Sequence, residues 1–197
     1  MVDMRDTTEK LRDAAETAAL PAAADSPLGP LGRRQTDCGE FGLHIARDGT
    51  WLYRGSPIRR VPLVKLFSTV LRRADDGSYW LVTPAERGRI TVEDAPFLAV
   101  ELTATGEGRD QILSFRTNVD DIVSADESHP LRVAADDATG EPSPYIVVRE
   151  GLEARLTRAV FYELVELGRE ERTAEGVHYG VWSKGRFFIL GDLPEEG

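Results

Sequence analysis

The sequence predicts an α+β fold composed of two structurally related units, each with the order strand–turn–strand–helix–strand. One observation is that the turns Gly55-Ser56 and Glu150-Gly151 each separate two segments that are typical of β-strands. Another is that each strand pair leads into a segment with helical features, beginning at Pro62 and near Arg158.

The repeat is inferred from the turns. One constant offset relates three pairs of residues, whereas the apolar positions of the two helices do not coincide at that offset. We therefore interpret the repeat as a shared structural unit rather than a recent duplication, with chance recurrence in an α+β protein as the alternative. The pairs are Gly55 with Gly151, Arg59 with Arg155, and Pro62 with Arg158.

The first unit is predicted to open with a hairpin of strands Leu43–Arg47 and Thr50–Arg54. The dipeptide between them, Asp48-Gly49, favours the primed turns, which need positive φ. Pro62 suits the first turn of the next helix, where a missing N–H has no cost. Apolar residues at the i, i+3, i+4 spacing predict one buried helix face. They are Leu63, Leu66, Phe67, Val70 and Leu71.

The second half of the chain is predicted to be mostly β-structure, with a polar loop over Asn118–Pro130. Thr157 is a suitable N-cap for a helix over Arg158–Leu167, and Gly168 is a suitable C′ residue. A final hairpin is predicted around Lys184-Gly185. The predicted strands are Arg89–Glu93, Phe97–Thr103, Gln111–Thr117, Leu131–Ala134, Tyr145–Arg149, Leu152–Leu156, Val177–Ser183 and Arg186–Leu190.

These elements divide the chain into three regions. Residues 1–34 are predicted to be a flexible arm and linker, because their Ala, Pro and Gly residues offer little apolar surface to bury. Residues 35–85 are predicted to form the N-terminal α+β unit, and residues 86–197 the C-terminal β-rich unit with one helix. Binding of a partner by the arm stays an open alternative.

Composition narrows the class of protein. The single cysteine, Cys38, excludes an internal disulfide framework and a Cys-rich zinc site, and it fits a reducing cytoplasm. No segment approaches the roughly 20 apolar residues of a membrane helix, and the acids within Met1–Leu20 argue against a signal peptide. We therefore expect a cytoplasmic protein with no membrane partner.

Charge is distributed unevenly along the chain. The formal net charge is −10, but Trp51 to Ile90 holds eight basic and three acidic residues, which is +5 and leaves −15 for the remainder. The acidic total argues against sequence-independent duplex binding, which needs many Lys and Arg contacts to phosphates. The basic segment still predicts an anion site, because screening limits the reach of distant acids to about 10 Å.

The candidate ligand-binding residues come mainly from this basic segment. Guanidinium groups bind phosphate in a planar, bidentate way, and aromatic rings on strands stack on bases, with core packing as their alternative. Acids at a strand end and a loop histidine are further candidates, with an exposed turn and a solvated or capping histidine as alternatives. The candidates are Arg54, Arg59, Arg72 and Arg73 (the last two at the predicted end of the first helix), Trp51, Tyr53, Glu93, Asp94 and His129.

The residue spacings of known catalytic and metal sites are not found in the sequence. Gly106-Glu107-Gly108 lacks the later Gly and Lys of a phosphate-binding loop, and the three histidines are far apart. The paired acids, such as Asp75-Asp76, are interpreted as turn formers. We therefore predict no catalytic residue, no metal site and no cofactor.

Short motifs follow one another in order along the chain: Cys38-Gly39, Ala46–Trp51, Gly55–Ile58, Leu66–Ser68, Leu71–Arg73, Leu81–Pro84, Val92–Phe97, Thr117–Val119, His129–Leu131 and Gly191–Pro194. In these motifs the chain resembles the bacterial domain of unknown function family twelve eighty-five. The resemblance implies a fold in two parts with repeated motifs, of which the second is a partly open barrel superficially similar to the pleckstrin-homology fold. It also implies ligand binding in signal transduction, with a nucleic-acid-like ligand.

The leading hypothesis is non-catalytic binding of an anionic ligand, either a nucleotide-like small molecule or a single-stranded nucleic acid. The charge argument comes from the residues, whereas the ligand class and a site in the crevice between the two units are what the resemblance implies. The second hypothesis is a protein-interaction module that uses the N-terminal arm or the acidic loops Asp120–Glu127 and Asp136–Glu141. An enzyme of unknown class is the third.

Overall fold

The computed structural model describes residues 36–135, 140–173 and 176–192. The predicted arm over residues 1–34 and most of the acidic loop after residue 135 lie outside these ranges. Within them, no helix has the length and apolar character needed to cross a membrane. The described chain is mostly β-structure with two α-helices and two similar six-stranded sheets, one of which curls into a half-barrel.

The described part of the N-terminal unit contains β1 (Thr36–Ile45), β2 (Trp51–Tyr53), β3 (Ser56–Pro57), α1 (Val61–Thr69), β4 (Leu71–Arg73), β5 (Tyr79–Val82) and β6 (Glu86–Val92). Its sheet has the order β3-β2-β1-β6-β5-β4. The central strands β1 and β6 are parallel, and the other pairs are antiparallel. The helix α1 therefore connects the strands at the two opposite edges of the sheet.

One face of this sheet packs against α1. The Phe67 ring stacks on the Trp51 indole with a centroid distance of 6.1 Å and an interplanar angle of 27°. Pro62 lies in the first turn, as predicted. The apolar helix face is largely confirmed, because Leu66 is half-buried and the other predicted positions are fully buried. The buried positions are Leu63, Phe67, Val70 and Leu71.

The turn at Asp48-Gly49 differs from the prediction. The Gly49 amide donates to the carbonyl of Ala46 at 2.9 Å, and of the dipeptide only Gly49 has positive φ. This geometry is a type I turn followed by a left-handed glycine, not a primed turn. The Asp48 carboxylate stabilises it by accepting from the Thr50 amide. A primed turn, with two positive φ angles, occurs instead at Arg54-Gly55.

The first helix ends earlier than the sequence predicts. It stops at Thr69, so Arg72 and Arg73 lie on β4 and not at the end of the helix. The strand forms there because Leu71 pairs with Leu81 of β5 and both side chains are buried. Arg72 still contacts the helix end, since its Nη1 donates to the Thr69 carbonyl at 3.0 Å.

The described part of the C-terminal unit contains β7 (Phe97–Thr105), β8 (Ile112–Thr117), β9 (Ile122–Ser124), β10 (Leu131–Ala135), β11 (Pro142–Arg149), β12 (Leu152–Leu156), α2 (Arg158–Glu166), β13 (Arg169–Thr173), β14 (Gly176–Ser183) and β15 (Arg186–Asp192). The helix α2 begins after its predicted cap, Thr157. The last three strands form a sheet of order β13-β14-β15. Strands β9 and β13 were not predicted, because their short or charged sequences lack apolar alternation.

Strands β7 to β12 repeat the N-terminal sheet strand for strand. The order is β9-β8-β7-β12-β11-β10, again with a parallel central pair. The two-unit α+β layout is therefore confirmed, but the equivalent residues are not those aligned on the turns. Gly55 lies between the second and third strands of its sheet, whereas Gly151 lies between the fifth and sixth. Both belong to primed turns, which any tight hairpin can contain.

The boundary between the units lies after Asp94, whereas the sequence-based division placed it after residue 85. The difference comes from β6, which pairs with both β1 and β5. This strand therefore completes the N-terminal sheet instead of opening the C-terminal unit.

Candidate ligand-binding surface

The face of the N-terminal sheet opposite α1 carries a row of three side chains, and we name it the open face. Arg72 on β4 lies opposite Trp80 on β5, which in turn lies opposite Arg89 on β6. Adjacent strands are about 4.8 Å apart. Arg89 is therefore within reach of a small ligand that contacts the indole, whereas Arg72 Nη1 donates to the carbonyls of Thr69 and Leu71.

The alternation of side chains along each strand places this row on the open face. Each of its members is next in sequence to a residue that is buried on the side of α1. At Gly88 an added Cβ would lie 2.6 Å from the Phe41 ring, so this ring packs directly on the glycine. The flanking Arg87 and Arg89 consequently point to the open face. The buried neighbours of the row are Leu71, Leu81 and Ile90.

A chain of hydrogen bonds orients the Trp80 indole. Its Nε1 donates to the Ser78 hydroxyl at 2.7 Å, and that hydroxyl donates to Asp76 Oδ1 at 2.5 Å. The hydroxyl and the amide of Ser78 hold the pKa of the Asp76 carboxyl below its usual value. Trp80 is half-buried, so its ring is both oriented and accessible.

Arg87 extends the stacking surface of the open face. Its guanidinium carbon lies 5.2 Å from the centroid of the Trp80 ring, and its Nη2 lies 3.0 Å from Asp37 Oδ2. The Gly39 amide and then Arg87 lower the pKa of the Asp37 carboxyl. Because nucleobases stack on guanidinium planes as well as on aromatic rings, a base can stack on the outer face of Arg87 or on the part of the indole that Arg87 leaves uncovered.

The open face becomes acidic on β1. Glu40 lies opposite Arg89, and His44 Nε2 lies 2.9 Å from Glu93 Oε1. The Arg47 amide donates to Glu93 Oε2 at 2.7 Å. This amide and then His44 lower the pKa of the Glu93 carboxyl. Both carboxylate oxygens thus have a partner within the unit, where they hold the turn after β1. The Glu93 side chain is about half exposed, and its role as a ligand acceptor stays a prediction.

Trp51 and Tyr53 are the two aromatic residues predicted to stack on a ligand, and the prediction is wrong for Trp51. It is 1% exposed and packs on Phe67, so the alternative of core packing is correct for it. Tyr53 is half-buried, and the guanidinium carbon of Arg54 lies 5.2 Å from its ring centroid. This pair is accessible but lies at the β2 side of the sheet, away from Trp80.

The four predicted arginines do not form one cluster. Arg54 and Arg59 lie near β2 and β3, whereas Arg72 and Arg73 lie on β4. The sheet order separates β2 from β4 by four inter-strand steps, roughly 19 Å at the usual strand spacing. Arg73 also points away from Arg72, since it lies 5.6 Å from the ring centroid of Tyr79 on the side of α1. The residues are close in sequence because α1 carries the chain from one edge to the other.

The remaining two candidates belong to different units. Asp94 Oδ2 lies 3.6 Å from Arg47 Nε, and its side chain is mostly buried. His129 Nδ1 lies 3.1 Å from Asp126 Oδ1, and Lys184 Nζ donates to the other oxygen of Asp126 at 2.8 Å. His129 therefore belongs to a structural cluster that ties the loop after β9 to the β14–β15 hairpin.

Trp80, Arg87 and Arg89 are not among the ligand-binding residues predicted from the sequence. One available indication was the spacing of the two arginines, because residues two apart on a strand share a face. Their position beside Trp80 depends on the pairing of β5 with β6, which a single sequence does not show.

The C-terminal sheet contains the same row in a different environment. Arg132 on β10, Tyr145 on β11 and Arg155 on β12 occupy the equivalent strands and pair in the same way. Here Tyr145 is buried, and Arg132 donates to both oxygens of Glu153 at 2.7 Å. Glu153 stands two residues before Arg155, as Arg87 stands two before Arg89. The row is thus an internal contact in this unit.

The chemistry of the open face is suited to binding. Across the described ranges, no group of three or more His, Cys, Asp or Glu side chains is arranged to hold a metal ion. The guanidinium groups donate hydrogen bonds to negatively charged groups, and guanidinium planes and the indole stack on flat rings.

Comparisons with known proteins support the two-unit organisation. Residues 34–95 match the family model described as Domain of unknown function (DUF1285), N-terminal domain, and residues 96–190 match Protein of unknown function (DUF1285), C-terminal domain. No curated protein matches the chain.

Two solved structures are similar to this chain. The crystal structure of a DUF1285 family protein from Silicibacter pomeroyi DSS-3 shares 43% identity, covers 93% of this chain and 95% of its own, and has a TM-score of 0.77. That of a DUF1285 family protein from Shewanella baltica OS155 shares 29% identity, covers 64% of this chain and 91% of its own, and has a TM-score of 0.50. The chain belongs to the DUF1285 family.

Proposed function

We propose that the N-terminal unit binds an anionic, nucleobase-containing ligand on its open face and does not convert it chemically. The observation that carries the proposal is the accessible Trp80 indole with Arg72, Arg87 and Arg89 around it. This location replaces the crevice between the two units that the family resemblance implied.

The energies of the contacts are sufficient for reversible binding. Stacking of one base contributes about 1–3 kcal/mol, and a hydrogen bond to a charged group contributes about 1.5–3 kcal/mol. One stacked base with one or two phosphate contacts therefore predicts a dissociation constant between roughly ten millimolar and about one micromolar. Such an affinity suits a sensor of a soluble metabolite.

Thermal unfolding with and without ligand tests the proposal. A panel of nucleotides, cyclic dinucleotides and short single-stranded RNA should raise the unfolding midpoint, since a ligand at 100 times its dissociation constant adds about 2.7 kcal/mol. Trp80→Ala and Arg89→Glu should lose this stabilisation. Arg59→Glu is the matched control, because Arg59 is exposed and follows β3, at the edge of the sheet opposite β4. A flat panel, or equal stabilisation of Trp80→Ala and wild type, contradicts the proposal.

A protein-interaction role is the second candidate, and an exposed residue of the C-terminal unit favours it. Ile122 lies on the edge strand β9 with 69% of its surface exposed, next to the acidic turn at Asp120-Asp121. If this edge binds a partner, Ile122→Lys should abolish binding of that partner and leave the nucleotide-dependent midpoint unchanged. In Trp80→Ala, by contrast, the rise of the unfolding midpoint with nucleotide should be lost. The two variants therefore distinguish the two candidate functions.

The finer features that the resemblance implies belong to the same proposal. They are a role in signal transduction and a pleckstrin-homology-like barrel in the C-terminal unit. A cytoplasmic location, which the single cysteine supports, is part of the proposal on grounds of composition. Reversible, non-catalytic binding is compatible with a signalling role.

A further inference from the structure

We infer that the ligand of the open face is a small molecule with a base and one or two phosphates, such as a mononucleotide or dinucleotide, and not a nucleic-acid strand. This inference rests on the proposed function and decides between the two ligand classes that the sequence left open. It depends on how charge is arranged around Trp80.

The open face is basic on one side only. Arg72, Arg87 and Arg89 lie on β4 and β6, around the indole of Trp80 on β5. Asp37 and Glu40 lie on the next strand, β1. In the strand register Asp37 lies opposite Arg87 and Glu40 lies opposite Arg89. Of these cations, Arg87 is already bound by Asp37.

A polyanionic strand would have to leave this basic area in order to continue. From β5 to β1 is two inter-strand steps, roughly 10 Å, and there a phosphate would meet the exposed carboxylates of Asp37 and Glu40. Along β6, the open face runs from Arg89 through Thr91 to Glu93. A second or third phosphate in these two directions is therefore repelled, whereas a single phosphate beside Arg89 meets only the carboxylate of Asp76, which Ser78 holds by two hydrogen bonds.

The equivalent row in the C-terminal sheet does not supply a second phosphate site. Arg132 is held by both oxygens of Glu153, and Tyr145 is buried. Of the two equivalent rows, the one on the open face is thus the one with an accessible basic area. The size of this area matches a ligand of one or two nucleotides.

Binding of adenosine monophosphate and of oligoriboadenylates of two to ten nucleotides to the full chain tests this inference, for example by calorimetry at several salt concentrations. We expect the affinity to rise less than about tenfold over the series, with a salt slope no steeper than about −1.4, the value for two released counterions on a single strand. Trp80→Ala should weaken every member of the series alike.

Affinity that rises a hundredfold or more with length, with a slope steeper than about −2.8, the value for four counterions, overturns the inference and leaves the proposed function standing. Tight binding of a long oligomer together with no detectable binding of adenosine monophosphate also overturns the inference and leaves the proposed function standing. If no member of the series binds, both the inference and the proposed function are wrong for adenine ligands, and guanosine monophosphate with oligoriboguanylates then decides between them by the same criteria.

Discussion

The two six-stranded sheets of this chain share one strand order and one arginine–aromatic–arginine row, yet they use the row differently. In the N-terminal sheet the aromatic residue is Trp80, half-buried beneath Arg87. In the C-terminal sheet it is Tyr145, which is 8% exposed beneath Arg132. An aromatic residue between two arginines is thus common to both copies of the fold. An accessible cationic surface around that residue is found in the N-terminal copy and not in the C-terminal one.

A single position accounts for much of the difference. Arg87 and Glu153 stand at the same place relative to the row, two residues before Arg89 and Arg155. Glu153 forms an ion pair with Arg132 across the row itself, whereas Arg87 lies over the indole and forms its ion pair outside the row, with Asp37 of β1. The same backbone therefore carries an ion pair across the row in one copy and a guanidinium stacked on the aromatic ring in the other.

The largest expected effect is the difference in unfolding free energy between alanine variants of Tyr145 and Trp80. Tyr145→Ala should lower the free energy of unfolding by about 3–5 kcal/mol, because it leaves a cavity in a packed region. Trp80→Ala should lower it by less than about 2 kcal/mol, since a half-buried ring removes less apolar area from water. Denaturant unfolding of both variants measures the difference. Equal losses would mean that the Trp80 ring is as deeply packed as that of Tyr145.

A carboxylate that ties loops together provides the second comparison. Asp126 of the C-terminal unit accepts from Lys184, from the His129 ring and from the amides of His129 and Ser128, which together hold its pKa well below the usual value. Asp126→Asn should lower the free energy of unfolding by about 1.5–3 kcal/mol at neutral pH. Glu93→Gln in the exposed N-terminal turn should have a smaller effect.

The pH dependence of this loss has a definite sign. A carboxylate whose pKa is lower in the folded state stabilises the fold above its unfolded pKa of about 3.9, and this contribution is lost as the pH falls towards the folded pKa. The difference in unfolding free energy between wild type and Asp126→Asn should thus be constant above about pH 5 and narrow below about pH 4. A difference that widens on acidification would contradict the assigned contacts.

The smallest expected stability effect concerns the two ion pairs next to the rows. Glu153→Gln should cost about 1 kcal/mol, because it weakens two hydrogen bonds to the half-exposed Arg132. Asp37→Asn should cost less, since both partners of the Asp37–Arg87 pair are about half exposed to solvent. Thermal unfolding of the two variants in low and high salt gives the comparison, and a larger loss for Asp37→Asn would reverse the ranking.

Much of the fold was predictable from local patterns in the sequence. The helix from Pro62, the cap at Thr157 and the hairpin at Lys184-Gly185 follow from short-range rules that each segment satisfies by itself. The repeat was predictable as a layout but not in its residue equivalence, because primed turns at Gly55 and Gly151 resemble each other wherever they occur in a sheet.

The candidate surface was less predictable, because it depends on pairing between distant strands. Trp51 and Trp80 both lie on strands, and only the position of α1 makes the first a core residue and leaves the second accessible. Arg54 and Arg72 are near in sequence but lie at opposite sides of the sheet, since α1 intervenes. Sequence proximity is thus a poor guide to charge clusters when a helix crosses a sheet.

Tryptophan fluorescence during a nucleotide titration tests the central claim most directly. The chain has three tryptophans, of which Trp51 is buried and Trp182 belongs to the C-terminal unit. If a base stacks on the open face, the Trp182→Phe variant should keep a saturable, ligand-dependent change in emission, and the Trp80→Phe variant should lose most of it. A change that persists in Trp80→Phe and disappears in Trp182→Phe would place the ligand on the C-terminal unit and contradict the account.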